Sequence, residues 1–389
     1  MIHNIPNLVN QEPWPDSADL LRGSVWQHRH DLKRQIMRVV LVLLVAFAIQ
    51  QTIAAVILMF AVFTNGSFEE FLRSYMSDVM GSGIIDSDLI SNEMQALMDL
   101  ITDYSPNLMG ITQLIAVLCS VPAFLALRGK KLFTHDITEQ RAHMSGVLLF
   151  QIFIIAMGAQ FVFTLLSNGL NTLLEPIGFD TTDLYETSVT AMSSPVGMVY
   201  IMLIGPIMEE IMFRGAVMKS LERFGGNFAI VMSSLFFGLF HMFTVQAAFA
   251  FLVGLLLGYV AHRYSVLWSM LLHILLNSVA TGMDSFIPEK ELNITFIVLF
   301  VVSVCLIIHL RGRIKEQREA GRPFIIAAPP AAEPAYVIGN VPTWEREQEQ
   351  VAPVQPKLFR IAFSTVSLIV FTVCALGLGV LLMSGVVSM

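Results

Sequence analysis

Residues 39–63 read VVLVLLVAFAIQQTIAAVILMFAVF, an apolar run without a single charged residue. A helix rises about 1.5 Å per residue, so about 20 apolar residues cross the hydrocarbon core of a bilayer, which is about 30 Å thick. This run is therefore long enough for one membrane-spanning helix. Composition extends the conclusion to the whole chain of 389 residues, because 55% are hydrophobic and only 14% are charged. Soluble domains carry roughly 25% charged residues.

The same length criterion finds eight further apolar runs along the chain. They lie at 108–127, 145–167, 195–213, 227–243, 247–261, 266–284, 293–311 and 358–387. The run 247–261 is short and contains Gly254 and Gly258, as is typical of a helix packed closely against its neighbours inside a bundle. The sequence thus predicts an all-α fold, a polytopic transmembrane helical bundle of about nine spans.

Loop charges predict the orientation of the chain, since Lys and Arg are retained in cytoplasmic loops. The loops 64–107 and 168–194, after the first and third spans, are acidic. Basic residues stand before the first span, after the second and after the eighth: Arg29, Lys33, Arg34, Arg38, Arg128, Lys130, Lys131, Arg311, Arg313, Lys315 and Arg318. We expect a multi-pass protein of the cell membrane, surrounded by the lipid bilayer, with a cytoplasmic N-terminus and its C-terminus outside.

The spans and the composition between them divide the chain into five parts. These are a cytoplasmic N-terminal segment (1–38), the first two spans with the acidic outer loop (39–144), a membrane core (145–311), a proline-rich cytoplasmic linker (312–357) and an additional C-terminal span (358–389). A linker so rich in proline is expected to be extended. The last span is therefore an appendage to the core, and its role stays open.

Cysteine usage and net charge argue against several classes of protein. Cys119, Cys305 and Cys374 lie inside apolar runs, where they behave as small hydrophobic residues and not as a disulfide framework or a thiolate metal site. The net charge is −7, but the acids and bases fall in different loops, and nothing indicates a nucleic-acid partner.

A group of polar residues lies within the predicted spans of the membrane core. Each ionisable side chain in a spanning helix costs about 2.5 to 3.5 kcal/mol on insertion scales, so such a group needs a compensating role. The group consists of Glu209, Glu210 and Arg214 in the fourth span, His241 in the fifth, and His273 and Asn277 in the seventh. Their joint occurrence predicts a functional site.

Helical spacing separates the two carboxylates of this group. Glu210 and Arg214 are four residues apart and share a helix face, so they are expected to form an intrahelical ion pair. Glu209 points about 100° away around the helix. Glu209 is therefore the carboxylate that stays available for chemistry.

Spacing also pairs residues on the other two helices. His273 and Asn277 project from one face, and Phe237 stands one turn before His241. At about 1.5 Å per residue, Glu209 falls roughly 7 Å to the cytoplasmic side of the midplane and His241 roughly 9 Å to the outer side. The sequence leaves open whether the helices bring these residues together.

Three short motifs on these helices resemble those of a known family. They are EEIMFR at Glu209–Arg214, FGLFH at Phe237–His241 and HILLN at His273–Asn277. In this order, within about 70 residues and on nearby spans, the chain resembles the CAAX protease and bacteriocin-processing family, also called the ABI family. The resemblance covers roughly 145–285 and makes the predicted membrane core a catalytic one.

The resemblance implies an intramembrane endopeptidase that hydrolyses a peptide bond of a membrane-associated peptide, either prenylated or of a signal or bacteriocin type. It implies that Glu209 activates a water molecule with help from His241, while His273 and Asn277 stabilise the oxyanion. Glu210 is counted with these catalytic residues. Arg214 and Phe237 are expected to have supporting roles.

The need for a metal cofactor stays open. The enzyme is either a metalloprotease with bound zinc or a glutamate-dependent protease without a metal. Glu209, His241 and His273 would make a three-ligand zinc set with an open coordination position. Without a metal, Glu209 suits a general base, and histidine and asparagine donors suit an oxyanion hole. We favour the metal-independent form.

Two functions outside the proteases compete with this interpretation. Glu and His side chains within a membrane also serve as proton relays in transporters, but the common transporter architectures predict internal repeats, and none is evident here. A non-catalytic bacteriocin-immunity or peptide-binding membrane protein is the other alternative. A pure binder has no need of a water-activating carboxylate that faces an amide donor. The oligomeric state stays unknown.

Overall fold

The computed structural model describes residues 17–64, 106–174, 194–241 and 244–319, with a few single positions outside these ranges. These residues form helices joined by short connections, without a β-strand among them. The helices are α1 (Ser17–Thr64), α2 (Pro106–Arg128), α3 (Gly146–Leu174), α4 (Pro195–Phe224), α5 (Gly226–Phe240), α6 (Thr244–Arg263), α7 (Val266–Phe286) and α8 (Glu289–Glu319). The predicted all-α helical bundle is confirmed.

Seven of these helices are long and apolar enough to cross a membrane, by length and composition. The spans are Arg29–Ala61, Leu108–Arg128, Gly146–Gly169, Pro195–Phe224, Gln246–Arg263, Val266–Phe286 and Glu289–Gly312. The helix α5 is apolar but shorter. The first eight predicted runs thus correspond to α1–α8, and the protein is a multi-pass membrane protein. The ninth predicted run, 358–387, and most of the linker 312–357 and of the acidic loop 64–107 lie outside the described residues.

The helix α4 begins at a well-formed N-terminal cap. The side-chain oxygen of Ser194 accepts a hydrogen bond of 3.0 Å from the backbone N–H of Gly197. Pro195 follows in the first helical position, where its missing N–H costs nothing. The start of α4 is therefore fixed by its own sequence.

Two π-helical stretches interrupt α4, at Tyr200–Ile204 and Ile211–Met218, on either side of the α-helical piece Gly205–Glu210. Such stretches accommodate an extra residue in a helix and are frequent at functional sites. The two glutamates of the predicted site stand at the end of the α-helical piece, directly before the second π-helical stretch.

Pro206 connects the first π-helical stretch to α7. Because proline has no backbone N–H, the carbonyl groups one turn before it lose a helical partner. The carbonyl oxygen of Ile201 instead accepts a hydrogen bond of 3.1 Å from Asn277 Nδ2, and that of Met202 accepts one of 3.3 Å from the Ser278 hydroxyl. These bonds attach α7 to α4 at the level of the predicted site.

Buried apolar side chains form two clusters within the bundle. The first is built mostly from α1, α2, α4 and α5, and the second from α3, α6, α7 and α8. The helices α6 and α7 contribute to both clusters. The predicted site residues on α4 and α7 therefore lie where the two clusters meet.

The pair α5 and α6 packs closely through glycine residues, as predicted for the run 247–261. A Cβ atom added at Gly254 would lie 3.2 Å from Phe237 Cδ1, and one at Gly258 would lie 3.1 Å from Ile230 Cγ2. At Gly238 an added Cβ would lie 2.5 Å from the carbonyl oxygen of Ala247, which belongs to the backbone of α6. Small residues here permit the close approach of the two helices.

A cluster of charged side chains joins the loop before α3 to the ends of α4 and α6, and the sequence analysis did not predict it. Arg141 donates to both carboxylate oxygens of Glu222, at 2.9 and 2.6 Å, and His262 Nδ1 lies 2.8 Å from Glu222 Oε1. Glu139 pairs with Lys219 and Arg141. Burial acts to raise the pKa of Glu139, but the hydrogen bonds from Lys219 and Arg141 outweigh it and lower that pKa on balance.

We expect the substitution Gly238→Ala to destabilise the bundle by roughly 1–3 kcal/mol, because the added methyl group meets backbone and forces α5 away from α6. The measurement is thermal unfolding of the purified protein in detergent. Gly282→Ala in α7 is the matched control, since an added Cβ there meets nothing within 4 Å. Equal melting temperatures for the two variants would contradict the close packing of α5 on α6.

Candidate active site

A cavity of about 290 Å³ lies between α4, α5, α6 and α7. Its wall contains all four residues that the sequence analysis assigned to water activation and oxyanion stabilisation, namely Glu209, His241, His273 and Asn277. The other lining residues are Tyr200, Ile201, Gly205, Pro206, Phe237, Gln246, Phe249, Ala250 and Val253. The structure therefore brings together residues whose meeting the sequence left open.

Glu209 faces the cavity, with 24% of its side chain exposed. One carboxylate oxygen, Oε2, lies 3.7 Å from His273 Nε2, a distance longer than a hydrogen bond but close enough for electrostatic attraction. The two glutamates therefore face different surroundings, as their helical spacing predicts. Glu209 is open to a small molecule in the cavity.

Glu210 is fully buried behind the cavity wall and does not line it. Its Oε1 atom lies 2.9 Å from Arg214 Nη1 and 3.0 Å from His273 Nδ1, and its Oε2 atom accepts a hydrogen bond of 2.6 Å from the Ser269 hydroxyl. The predicted ion pair with Arg214 is confirmed. Ser269 was missed, although it precedes His273 by one helical turn and so shares its face.

Arg214 is also completely buried. Its guanidinium lies 4.3 Å above the centre of the Phe237 ring, and its Nη2 donates to the carbonyl oxygen of Gly254 over 3.3 Å. The Nη1 group is close to Glu210 but not aligned for a hydrogen bond, so that contact is an ion pair. The absence of a side chain at Gly254 makes room for the guanidinium, because an added Cβ would lie 3.3 Å from Nη2.

Phe237 separates the two histidines and contacts both of them. Its ring packs edge-on against the His241 ring, with centroids 4.7 Å apart, and against the His273 ring at 5.8 Å. Arg214 covers the ring of Phe237 as well. The supporting role expected of Phe237 therefore has a physical basis in the contacts it makes.

His241 lies at the C-terminal end of α5, just beyond its last helical residue. The sequence analysis had placed it inside a span that continues to residue 243. Its Nδ1 atom lies 2.8 Å from the carbonyl oxygen of Phe237, and because a carbonyl only accepts, Nδ1 carries the proton in this arrangement. The Nε2 atom of His241 remains available for a water molecule or a substrate.

The described side chains contain no group of three potential ligands close enough to hold a metal ion. The possible zinc set of Glu209, His241 and His273 is therefore not assembled in this arrangement.

Residues 191–279 match the family model described as Rce1-like, type II CAAX prenyl endopeptidase Rce1-like. This part of the chain is similar to the CAAX prenyl endopeptidases. The matched segment contains all three motifs and the helices α4–α6, together with most of α7. No curated protein and no solved structure matches the chain. The match supports an intramembrane endopeptidase of the CAAX type and leaves the substrate and the role of each residue to be argued.

We expect Arg214→Met to lower the free energy of unfolding by about 3 kcal/mol or more, because the charge of Glu210 is then buried without its partner. Thermal unfolding in detergent measures the change, and the double variant Glu210→Gln/Arg214→Met should recover part of it. Arg73→Met is the control, since Arg73 and Glu69 also form an i,i+4 pair but their side chains are 84% and 78% exposed. An equally small effect of both arginine substitutions would refute the proposed importance of the buried pair.

Proposed function

We propose that this protein is a metal-independent intramembrane endopeptidase in which Glu209 activates the attacking water. One observation carries the proposal. Glu209, His241, His273 and Asn277 line a single cavity among membrane-spanning helices, in the segment that matches the CAAX endopeptidase family. A free carboxylate, two imidazoles and an amide around one cavity are the groups that water-mediated hydrolysis of a peptide bond requires.

The reaction begins with water bound against Glu209. The carboxylate removes a proton from the water, and the resulting hydroxide oxygen bonds to the carbonyl carbon of the scissile peptide. The carbonyl oxygen becomes an oxyanion. When the carbon–nitrogen bond breaks, the proton held by Glu209 passes to the leaving nitrogen, so the products are a carboxylic acid and an amine. A general base in this position contributes typically 10²–10⁴-fold to the rate.

The two histidines act from opposite sides of Phe237. His241 lines the cavity, and its Nε2 atom orients the water for Glu209. His273 donates a hydrogen bond from its Nδ1–H to Glu210, because a carboxylate only accepts. Its Nε2 atom lies on the side of Glu209. When His273 is doubly protonated, Nε2 carries a second N–H that stabilises the oxyanion. Asn277 adds an amide donor on the same helix face.

The buried carboxylate of Glu210 contributes by orientation. It contacts His273, Arg214 and Ser269, and it does not reach the cavity. A carboxylate bound to one imidazole nitrogen fixes the direction of the ring and of the second nitrogen. We therefore place Glu210 among the positioning residues, with Glu209 as the carboxylate that touches the substrate.

The substrate that fits this site is a membrane-associated peptide. The remaining wall of the cavity is largely apolar, and its α6 side presents Phe249, Ala250 and Val253. Such a wall accepts an apolar side chain or a lipid group beside the scissile bond. A prenylated peptide, or a signal or bacteriocin-type peptide, has this character.

We expect Glu209→Gln to lower the rate of peptide cleavage at least 100-fold, in line with removal of a general base. The assay uses purified protein in detergent with a library of membrane peptides, some of them prenylated, and each variant is checked for folding. Glu291→Gln is the matched control, because Glu291 is an exposed carboxylate in the first turn of α8. Its activity should equal that of the wild type.

A strong zinc chelator in parallel reactions tests the metal-independent form, which predicts unchanged cleavage. If the chelator abolishes cleavage and added zinc restores it, the metal-independent form is wrong and the enzyme is a metalloprotease. Equal cleavage by wild type and Glu209→Gln would refute the role of Glu209. No cleavage by the wild type across the library would favour the peptide-binding protein or the proton-coupled transporter.

A further inference from the structure

Tyr200 extends over the helix α4 towards Glu209. An ideal Cβ atom built on Gly205 would lie 3.6 Å from Tyr200 Cζ, the ring carbon that carries the hydroxyl group, and 3.7 Å from Cε1. The ring therefore covers the spot that a side chain at residue 205 would fill. Gly205 stands one turn before Glu209, and all three residues line the cavity.

The π-helical stretch Tyr200–Ile204 produces this alignment. Within it the N–H of Gly205 bonds to the carbonyl oxygen of Tyr200, so five residues separate positions that share a face. The α-helical piece that follows returns to a spacing of four. Tyr200, Gly205 and Glu209 consequently fall on one line along the cavity wall.

The Tyr200 hydroxyl group makes no hydrogen bond to a protein group within the described part of the chain. Tyr200 lines the cavity together with Glu209, His241 and Asn277. A phenol is a good hydrogen-bond donor, and this one is available to a molecule bound in the cavity.

We propose that Tyr200 is a further catalytic residue, whose phenol O–H donates a hydrogen bond to the scissile carbonyl oxygen as that oxygen becomes an oxyanion. The role rests on the proposed peptidase function. Oxyanion holes use several donors that are held in place before the reaction. Here Asn277 has one N–H committed to α4, so the uncommitted phenol completes the set.

The test is the substitution Tyr200→Phe, which removes the hydroxyl group and keeps the ring over Gly205. Removal of one oxyanion donor is expected to lower kcat by about 100-fold. The value of KM should stay within about threefold, because the bond strengthens only in the transition state. Tyr264→Phe is the matched control, since the Tyr264 hydroxyl is buried outside the cavity, and its kcat should be unchanged.

The outcomes separate this inference from the function on which it rests. If Tyr200→Phe keeps the full kcat while Glu209→Gln is inactive, the role of Tyr200 is wrong and the peptidase stands. A rise in KM with unchanged kcat makes Tyr200 a residue of ground-state binding and also overturns its catalytic role. A lower melting temperature for Tyr200→Phe than for Tyr264→Phe would assign any loss of activity to folding, and would count against the inference. A wild type without cleavage overturns both.

Discussion

The buried carboxylate of Glu210 is the interaction on which the site depends. It binds Arg214 within α4, and it binds Ser269 and His273 on α7. A charge without partners at this depth would be too costly to bury, so all of these groups must be present together. The need to satisfy Glu210 holds α4 and α7 in register, and the register in turn places Glu209 and His273 on the same cavity.

A second constraint acts at the same junction and comes from the backbone. Pro206 leaves carbonyl groups of α4 without helical partners, and side chains of α7 satisfy them. The two helices are thus joined by polar bonds on both sides of Glu209, at Glu210 and at Ile201. Within a membrane such bonds have little competition from water, so they define a rigid wall of the cavity.

Much of the fold could be predicted from the sequence, because apolar length alone identifies membrane spans. The pairing of Glu210 with Arg214 also followed from spacing. The position of His241 on the same cavity as Glu209, His273 and Asn277 did not, since it depends on the end of α5 and on how the helices pack. Tyr200 was missed for a local reason: standard α-helical spacing places it on a different face, and only the π-helical stretch aligns it with Glu209.

Because of that π-helical stretch, the side of α4 on which Tyr200 lies can change while Glu209 keeps its place on the cavity wall. The stretch contains one residue more than a regular turn, so deletion of a single residue between them would rotate the start of α4 by about 100° and leave everything after it in place. The wall of the cavity would then receive a different side chain at the position of the phenol. A one-residue insertion or deletion is thus a route by which such a bundle changes what its cavity accepts, without any exchange of the ionisable groups.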